Sequence, residues 1–190
     1  MAALTASCID LNIQGNGAYS VLKQLATMAL QNGFITDSHQ FLQTLLLREK
    51  MHSTGFGSGV AVPHGKSACV KQPFVLFARK TQAIDWQASD GEDVNCWICL
   101  GVPQSGEEEQ VKIIGTLCRK IIHQDFINQL RQGDADQVLA LLNQTLSSEG
   151  SGDGVILTYC RDHQLPRRDR SHLHGGGSPG TESPFSRSYH

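Results

Sequence analysis

Long hydrophobic runs are missing from this chain: no apolar stretch approaches the ~20 residues that a membrane-spanning helix needs. The first residues, MAALTASCID, carry neither the charged nor the apolar region of a secretory signal, so a cytoplasmic protein is expected. Charge of one sign is also scarce. A net charge of −2 argues against a general nucleic-acid role. A disulfide framework is missing too, because six cysteines in 190 residues are too few for one. In a reducing compartment they read as small apolar fillers. Cys96 and Cys99 form a C-x-x-C, but Asp93 to Val102 reads as a buried strand, on which a spacing of three sends the two sulfurs to opposite faces. No second cysteine or histidine pair stands at zinc-finger spacing. No metal and no cofactor is expected.

What is present suffices for one domain. Hydrophobic residues make up 39% of the chain, enough for a sizeable core. Cys8 to Ile13 alternates like a short strand. Ala18, Val21, Leu22, Leu25 and Ala29 share one helical face, with Asn16 as cap and Gly33 as terminator. A second helix is predicted from Thr36 or Asp37 to Lys50, with Phe41, Leu42, Leu45 and Leu46 inward; its last turn brings Arg48 and Glu49 beside the glycine-rich stretch that follows. Phe74 to Arg79 is an apolar strand. Val94 to Val102 is another, central because apolar residues occupy both parities. Asp85 to Asp93 between them has turn composition. Ser105-Gly106-Glu107-Glu108 reads as a capping box before a helix whose apolar face is Val111, Ile114, Leu117, Cys118 and Ile121. Two shorter helices are predicted around Gln124 to Arg131 and Ala135 to Leu146. The sum is an α/β domain, a mixed β-sheet flanked by α-helices on both sides.

The rest is organised around Ser53 to Gly65, STGFGSGVAVPHG. Gly55, Gly57 and Gly59 free the backbone to take positive φ and lay N–H groups against an anion. Val60, Ala61 and Val62 are strand-like. Pro63 has no N–H and pushes Val62 into the extended region, so His64 is presented rigidly at the end of a short strand. An imidazole so placed can serve as nucleophile, general base or metal ligand, against the plain alternative of a hydrogen-bonded structural histidine.

The run Arg48-Glu49, Ser53-Thr54-Gly55 and Gly59-Val60-Ala61-Val62-Pro63-His64-Gly65 resembles the signature of the fructose/mannitol class of phosphotransferase-system enzyme IIA, over about Cys8 to Leu146. The resemblance implies that His64 accepts a phosphoryl group from the histidine phosphocarrier protein and passes it to a cysteine of enzyme IIB, for uptake of a fructose-like sugar. It implies Arg48 as the positive partner of the phosphate, which suits a planar, permanently charged guanidinium. Glu49, Ser53, Thr54, Gly57 and Gly59 are expected to support the phosphate loop, the hydroxyls by donating to it. Where the family commonly has a second histidine in a Glu-His-Leu-like run, this chain has Glu109-Gln110-Val111. Gln110 can donate through its amide but cannot titrate. That departure leaves room for a regulatory relative, in which phosphorylation of His64 controls binding to a target protein. His52 and His123 read as surface or helix-face residues. The partner surface is expected on apolar ground around His64, with Phe56 and Val62 nearby.

From Glu149 onward the composition turns to Gly, Ser, Arg, His and Pro, which reads as an unstructured tail, giving a domain over 1–148 and a linker and tail over 149–190. His163, His172, His174 and His190 are spaced too loosely to favour a metal site. Reading hypothetical codons for Asp162 to Gly180 one nucleotide later permits ITSCPDGIAHTYMAAEAL, which resembles the phosphocysteine loop of a fructose-type enzyme IIB. The tail is therefore expected to be a frameshifted remnant of a fused enzyme IIB domain.

Overall fold

A computed structural model describes residues 3–147; the expected linker, tail and enzyme IIB remnant lie outside them. At the centre, β5 (Phe74–Ile84) and β6 (Val94–Val102) pair antiparallel, with Val75 opposite Leu100 and Phe77 opposite Ile98. Phe74 to Ala78 and Cys96 to Val102 are all buried. That is why both parities of these strands are apolar: helices cover both faces. β1 (Ile9–Asp10) lies parallel outside β5. On the other edge of β6, β3 (Val60–Ala61) and β4 (His64–Lys66) run parallel to it in line, and β2 (Gly55–Gly57) pairs antiparallel outside β3. The order is β1-β5-β6-β3-β2, with β4 also on β6. α1 (Ala18–Gln31) packs on α2 (Ser38–Met51); α3 (Glu107–Ile121), α4 (Gln124–Gln132) and α5 (Ala135–Ser147) form the other group.

The helices follow the predicted apolar faces, except that Val111 of α3 is exposed and Ile113 is buried instead, while their ends and some strand limits differ. Asn16 does not cap α1. Gly17 is the cap residue, and the Ser20 hydroxyl accepts from the backbone N–H of both Asn16 and Gly17, at 3.1 and 3.2 Å. Gly33 follows the helix at φ +75°, which lets the Phe34 N–H return to the Ala29 carbonyl. Asp37 caps α2, accepting from the Gln40 N–H at 3.1 Å. Ser105 makes no capping box: Gly106 holds the cap position without a side-chain bond, and Glu107, Glu108 and Glu109 instead place negative charge at the helix N-terminus. β1 is shorter than predicted, because Ala6–Cys8 forms a 3-10 turn and the Asn12 N–H folds back onto Asp10. β5 is longer, running past Arg79 through exposed Thr81, Gln82 and Ala83. Cys8, Cys69, Cys96 and Cys99 are buried free thiols.

Candidate functional site

Gly65 and Gly101 face each other in register across β4 and β6, and both lie under α2. A Cβ on Gly65 would stand 2.7 Å from Thr44 Cγ2, and one on Gly101 would strike the Phe74 ring and approach Phe41. Bare backbone at this point lets α2 sit directly on β4. Arg48, one helical turn beyond Thr44, then reaches His64: its Nε–H donates to His64 Nε2 at 3.1 Å, and Nη1 donates to the His52 carbonyl at 2.5 Å.

His64 is 4% exposed and opens β4. Its Nδ1 lies 2.8 Å from the Val62 carbonyl, which can only accept, so Nδ1 carries the hydrogen. Nε2 is correspondingly unprotonated, which its acceptance of the Arg48 hydrogen requires as well. Both partners select the same tautomer. Burial first, and the neighbouring Arg48 charge second, lower the pKa of His64 to about 4, against a smaller upward pull from the Val62 carbonyl. The ring is therefore neutral at pH 7, with the Nε2 lone pair aimed at a guanidinium. Burial also lowers the pKa of Arg48, with Glu49 opposing; the guanidinium stays charged.

Glu49 grips the chain that leads to the histidine. Its carboxylate accepts from the Thr54 N–H at 2.7 Å and the Thr54 hydroxyl at 2.8 Å. Burial raises its pKa, opposed by those Thr54 bonds and by Arg48. The Thr54 hydroxyl hydrogen is thus committed to Glu49, and that of Ser53 to the Trp86 carbonyl at 2.9 Å. Neither hydroxyl hydrogen is directed at His64 here.

Gly57 and Gly59 do not reach the histidine. They flank Ser58 in a tight hairpin turn joining β2 and β3, with φ of +117°, +57° and +79° along the three residues, the left-handed backbone that two-residue hairpin loops demand. The Gly59 carbonyl accepts from Asn95 and Cys96, whereas His64 is in register with Leu100. At ~3.3 Å per residue, the turn lies roughly 15 Å from His64. Gln110 stands half-buried in the first turn of α3, its N–H bonded to the Gly106 carbonyl. His52 follows α2 as its C-terminal cap residue and His123 precedes α4.

Two participants escaped the sequence reading. The Val62 carbonyl orients His64, and backbone direction leaves no mark in a side-chain pattern. Trp86 lies in the segment read as a turn, yet it is buried, donates from Nε1 to the Thr54 hydroxyl at 3.3 Å and packs against Trp97. A tryptophan in an otherwise polar stretch was the available signal.

A neutral, buried imidazole with one nitrogen hydrogen-bonded and the other facing a fixed cation is a nucleophile set beside an anion receptor, carried on a mixed α/β sheet. Residues 2–145 match the family model of the phosphoenolpyruvate-dependent sugar phosphotransferase system, EIIA 2, and the chain belongs to that family of phosphoryl carriers. It is 94% identical over 148 residues, 78% of this chain and all of the relative, to the PTS system fructose-like EIIA component of Escherichia coli K12. Nitrogen regulatory protein IIA-Ntr from Neisseria meningitidis superposes with a TM-score of 0.68 at 27% identity, over 73% of this chain and 94% of that one. Enzyme IIAMTL of Escherichia coli, solved in complex with phosphorylated enzyme IIBMTL, shares the fold, with a TM-score of 0.63 at 22% identity over 73% of this chain and 96% of that one.

Proposed function

We propose that His64 is the phosphoryl carrier, accepting the group on Nε2 from the histidine phosphocarrier protein and passing it to a cysteine of enzyme IIB as a fructose-like sugar is taken up and phosphorylated. The carrying observation is the tautomer: Nδ1–H on the Val62 carbonyl, Nε2 open as a lone pair beside Arg48. In the first transfer the Nε2 lone pair attacks phosphorus, and the bond to the donor nitrogen breaks, that nitrogen keeping the electron pair. No proton has to leave Nε2. The ring becomes cationic as the bond forms, and the Val62 carbonyl stabilises its Nδ1–H. Arg48 releases Nε2 and turns its N–H groups to the phosphoryl oxygens. In the second transfer a thiolate sulfur attacks, and His64 leaves as the neutral imidazole from which it began.

The protein works in the cytoplasm in this reading; among its described residues no helix is long and apolar enough to cross a membrane. We place the docking surface beside Arg48 rather than on Phe56 and Val62. Val62 is fully buried and Phe56 half-buried, so among the exposed apolar residues Leu47 and Met51, on α2 beside Arg48, are the ones that would meet a partner. The test is incubation with phosphoenolpyruvate, enzyme I and the histidine phosphocarrier protein, followed by addition of enzyme IIB. Acid-labile label should appear on wild type and chase to the enzyme IIB cysteine, with none on His64→Ala; equal label on both proteins would rule His64 out.

The likeness to IIA-Ntr at 27% identity and the glutamine at position 110 favour one second reading, a regulatory protein whose His64 phosphorylation controls a target. Label that forms but does not chase to any enzyme IIB, together with a partner bound in one phosphorylation state only, would support it.

A further inference from the structure

Val62 stands at the break in the strand that carries His64. β3 ends at Ala61 and β4 begins at His64, and Pro63 between them has no N–H to give. The orientation of Val62, and of the carbonyl that holds His64 Nδ1, is therefore set from two sides: the Leu100 N–H of β6 donates to the Pro63 carbonyl at 2.9 Å, and on the other side the Val62 N–H donates to the Thr54 carbonyl at 3.0 Å. Thr54 is gripped from two sides. Glu49 holds its N–H and hydroxyl from α2, and Trp86 Nε1 donates to the same hydroxyl from the β5–β6 connection, 32 residues away in sequence.

The contact is part of a strap. The Trp86 carbonyl accepts from Ser53; Ala88 packs so closely that a Cβ on Gly55 would come within 2.5 Å of its own; and Asp90 accepts from the Ser58 N–H at 3.3 Å. Residues 86, 88 and 90 thus clamp 53–54, 55 and 58 in turn. The exposed residue between the first two, Gln87, is held at φ +53°, a left-handed conformation that costs a residue with a Cβ and persists only where its surroundings impose it. Asp85 supports it by accepting the Gln87 N–H at 3.0 Å.

We propose that Trp86 is a positioning residue for His64: its indole N–H, through Thr54 and Val62, holds the carbonyl that acts with the Arg48 Nε–H to keep the imidazole in the Nδ1–H tautomer, which leaves Nε2 open. It touches neither the ring nor any transferred group. The Trp86→Phe change keeps most of the buried aromatic body and removes the hydrogen-bond donor. This inference rests on the reading of His64 as the acceptor, yet its first readout precedes any transfer.

In unphosphorylated protein with 15N-labelled histidine, long-range proton–nitrogen spectra should show a single Nδ1–H tautomer for His64 in the wild type and a mixture in Trp86→Phe. Single-turnover acceptance from the phosphorylated phosphocarrier protein should slow about tenfold, as expected for a misoriented nucleophile. Ser53→Ala, which frees the Trp86 carbonyl and spares the tryptophan, should move the tautomer in the same direction by less, and it serves alone if Trp86→Phe does not fold. A lowered melting temperature with the wild-type tautomer and a rate within twofold of wild type would make Trp86 a packing residue only and overturn the proposal. Unlabelled wild-type protein would count against His64 as carrier, while the tautomer comparison would still decide the role of Trp86.

Discussion

The stretch from Ser53 to Gly65 has two glycine-flanked ends that look alike in sequence and behave differently in the fold. At the far end, Gly57-Ser58-Gly59 closes on itself and its neighbours: the Ser58 N–H is bound by Asp90, its carbonyl by Arg131, and the Gly59 carbonyl by two N–H groups of β6. Its backbone is consumed in making a turn. At the near end, Pro63 removes a donor and Gly65 removes a side chain, so α2 comes down onto the strand and its arginine meets the histidine. Glycine therefore serves the site through the close approach of a helix, while the more glycine-rich segment serves the hairpin.

The comparison breaks most visibly at Arg48. Arg48→Ala should slow phosphoryl acceptance about 100-fold, the scale for losing a preorganised donor to developing charge, and should raise the His64 pKa from about 4 towards its ordinary value, since burial and the Arg48 charge are what depress it. Single-turnover labelling and an NMR titration check the two effects.

Acid should then act on the near end through stability. With a folded pKa of about 4 against 6.5 unfolded, the unfolded chain binds the extra proton between those values. The contribution of His64 is complete above pH 6.5 and is lost as pH falls to about 4, roughly 3 kcal/mol in all. Glu49, its pKa raised by burial, contributes with the opposite sign, its stabilisation lost as pH rises above its unfolded value. Urea unfolding of wild type and His64→Gln across pH 4 to 7.5 isolates the histidine; identical pH dependence of the two would contradict this account.

Gly65→Ala should cost about 2 kcal/mol, the usual scale for overpacking, because the new methyl meets Thr44, and it should slow acceptance by lifting Arg48 off Nε2. Gly59→Ala should cost about 1 kcal/mol from its left-handed backbone and leave acceptance within twofold of wild type. An equal loss of transfer in the two glycine variants would erase the distinction between the ends. Paired melting and labelling measurements on both proteins read it directly.

Much of this was legible in the chain. The apolar spacing of Val21, Leu22, Leu25 and Ala29 located α1, and the two-parity run from Val94 to Val102 located the central strand, because burial selects for those patterns. The motif picked out Arg48, Glu49 and His64, which the fold brings together. What escaped depends on contacts between distant segments. The strap at Trp86, Ala88 and Asp90 has turn composition, and its partners stand some 32 residues earlier. The outer half of β5 is polar because it leaves the covered part of the sheet. Ser53 has the right chemistry for a phosphate, but the carbonyl that takes its hydroxyl hydrogen belongs to Trp86, 33 residues further on, while Thr54 gives its own to Glu49, five residues earlier.

The central claim is that Val62 holds the hydrogen on His64 Nδ1 and so leaves Nε2 as the nitrogen that takes the phosphoryl group. Nitrogen-15 spectra of histidine-labelled protein, before and after phosphorylation by the phosphocarrier protein, test it directly. One Nδ1–H tautomer is expected beforehand, then phosphorus coupling at Nε2 with the Nδ1 hydrogen retained. Phosphorus coupling at Nδ1, or at a histidine other than His64, would contradict it.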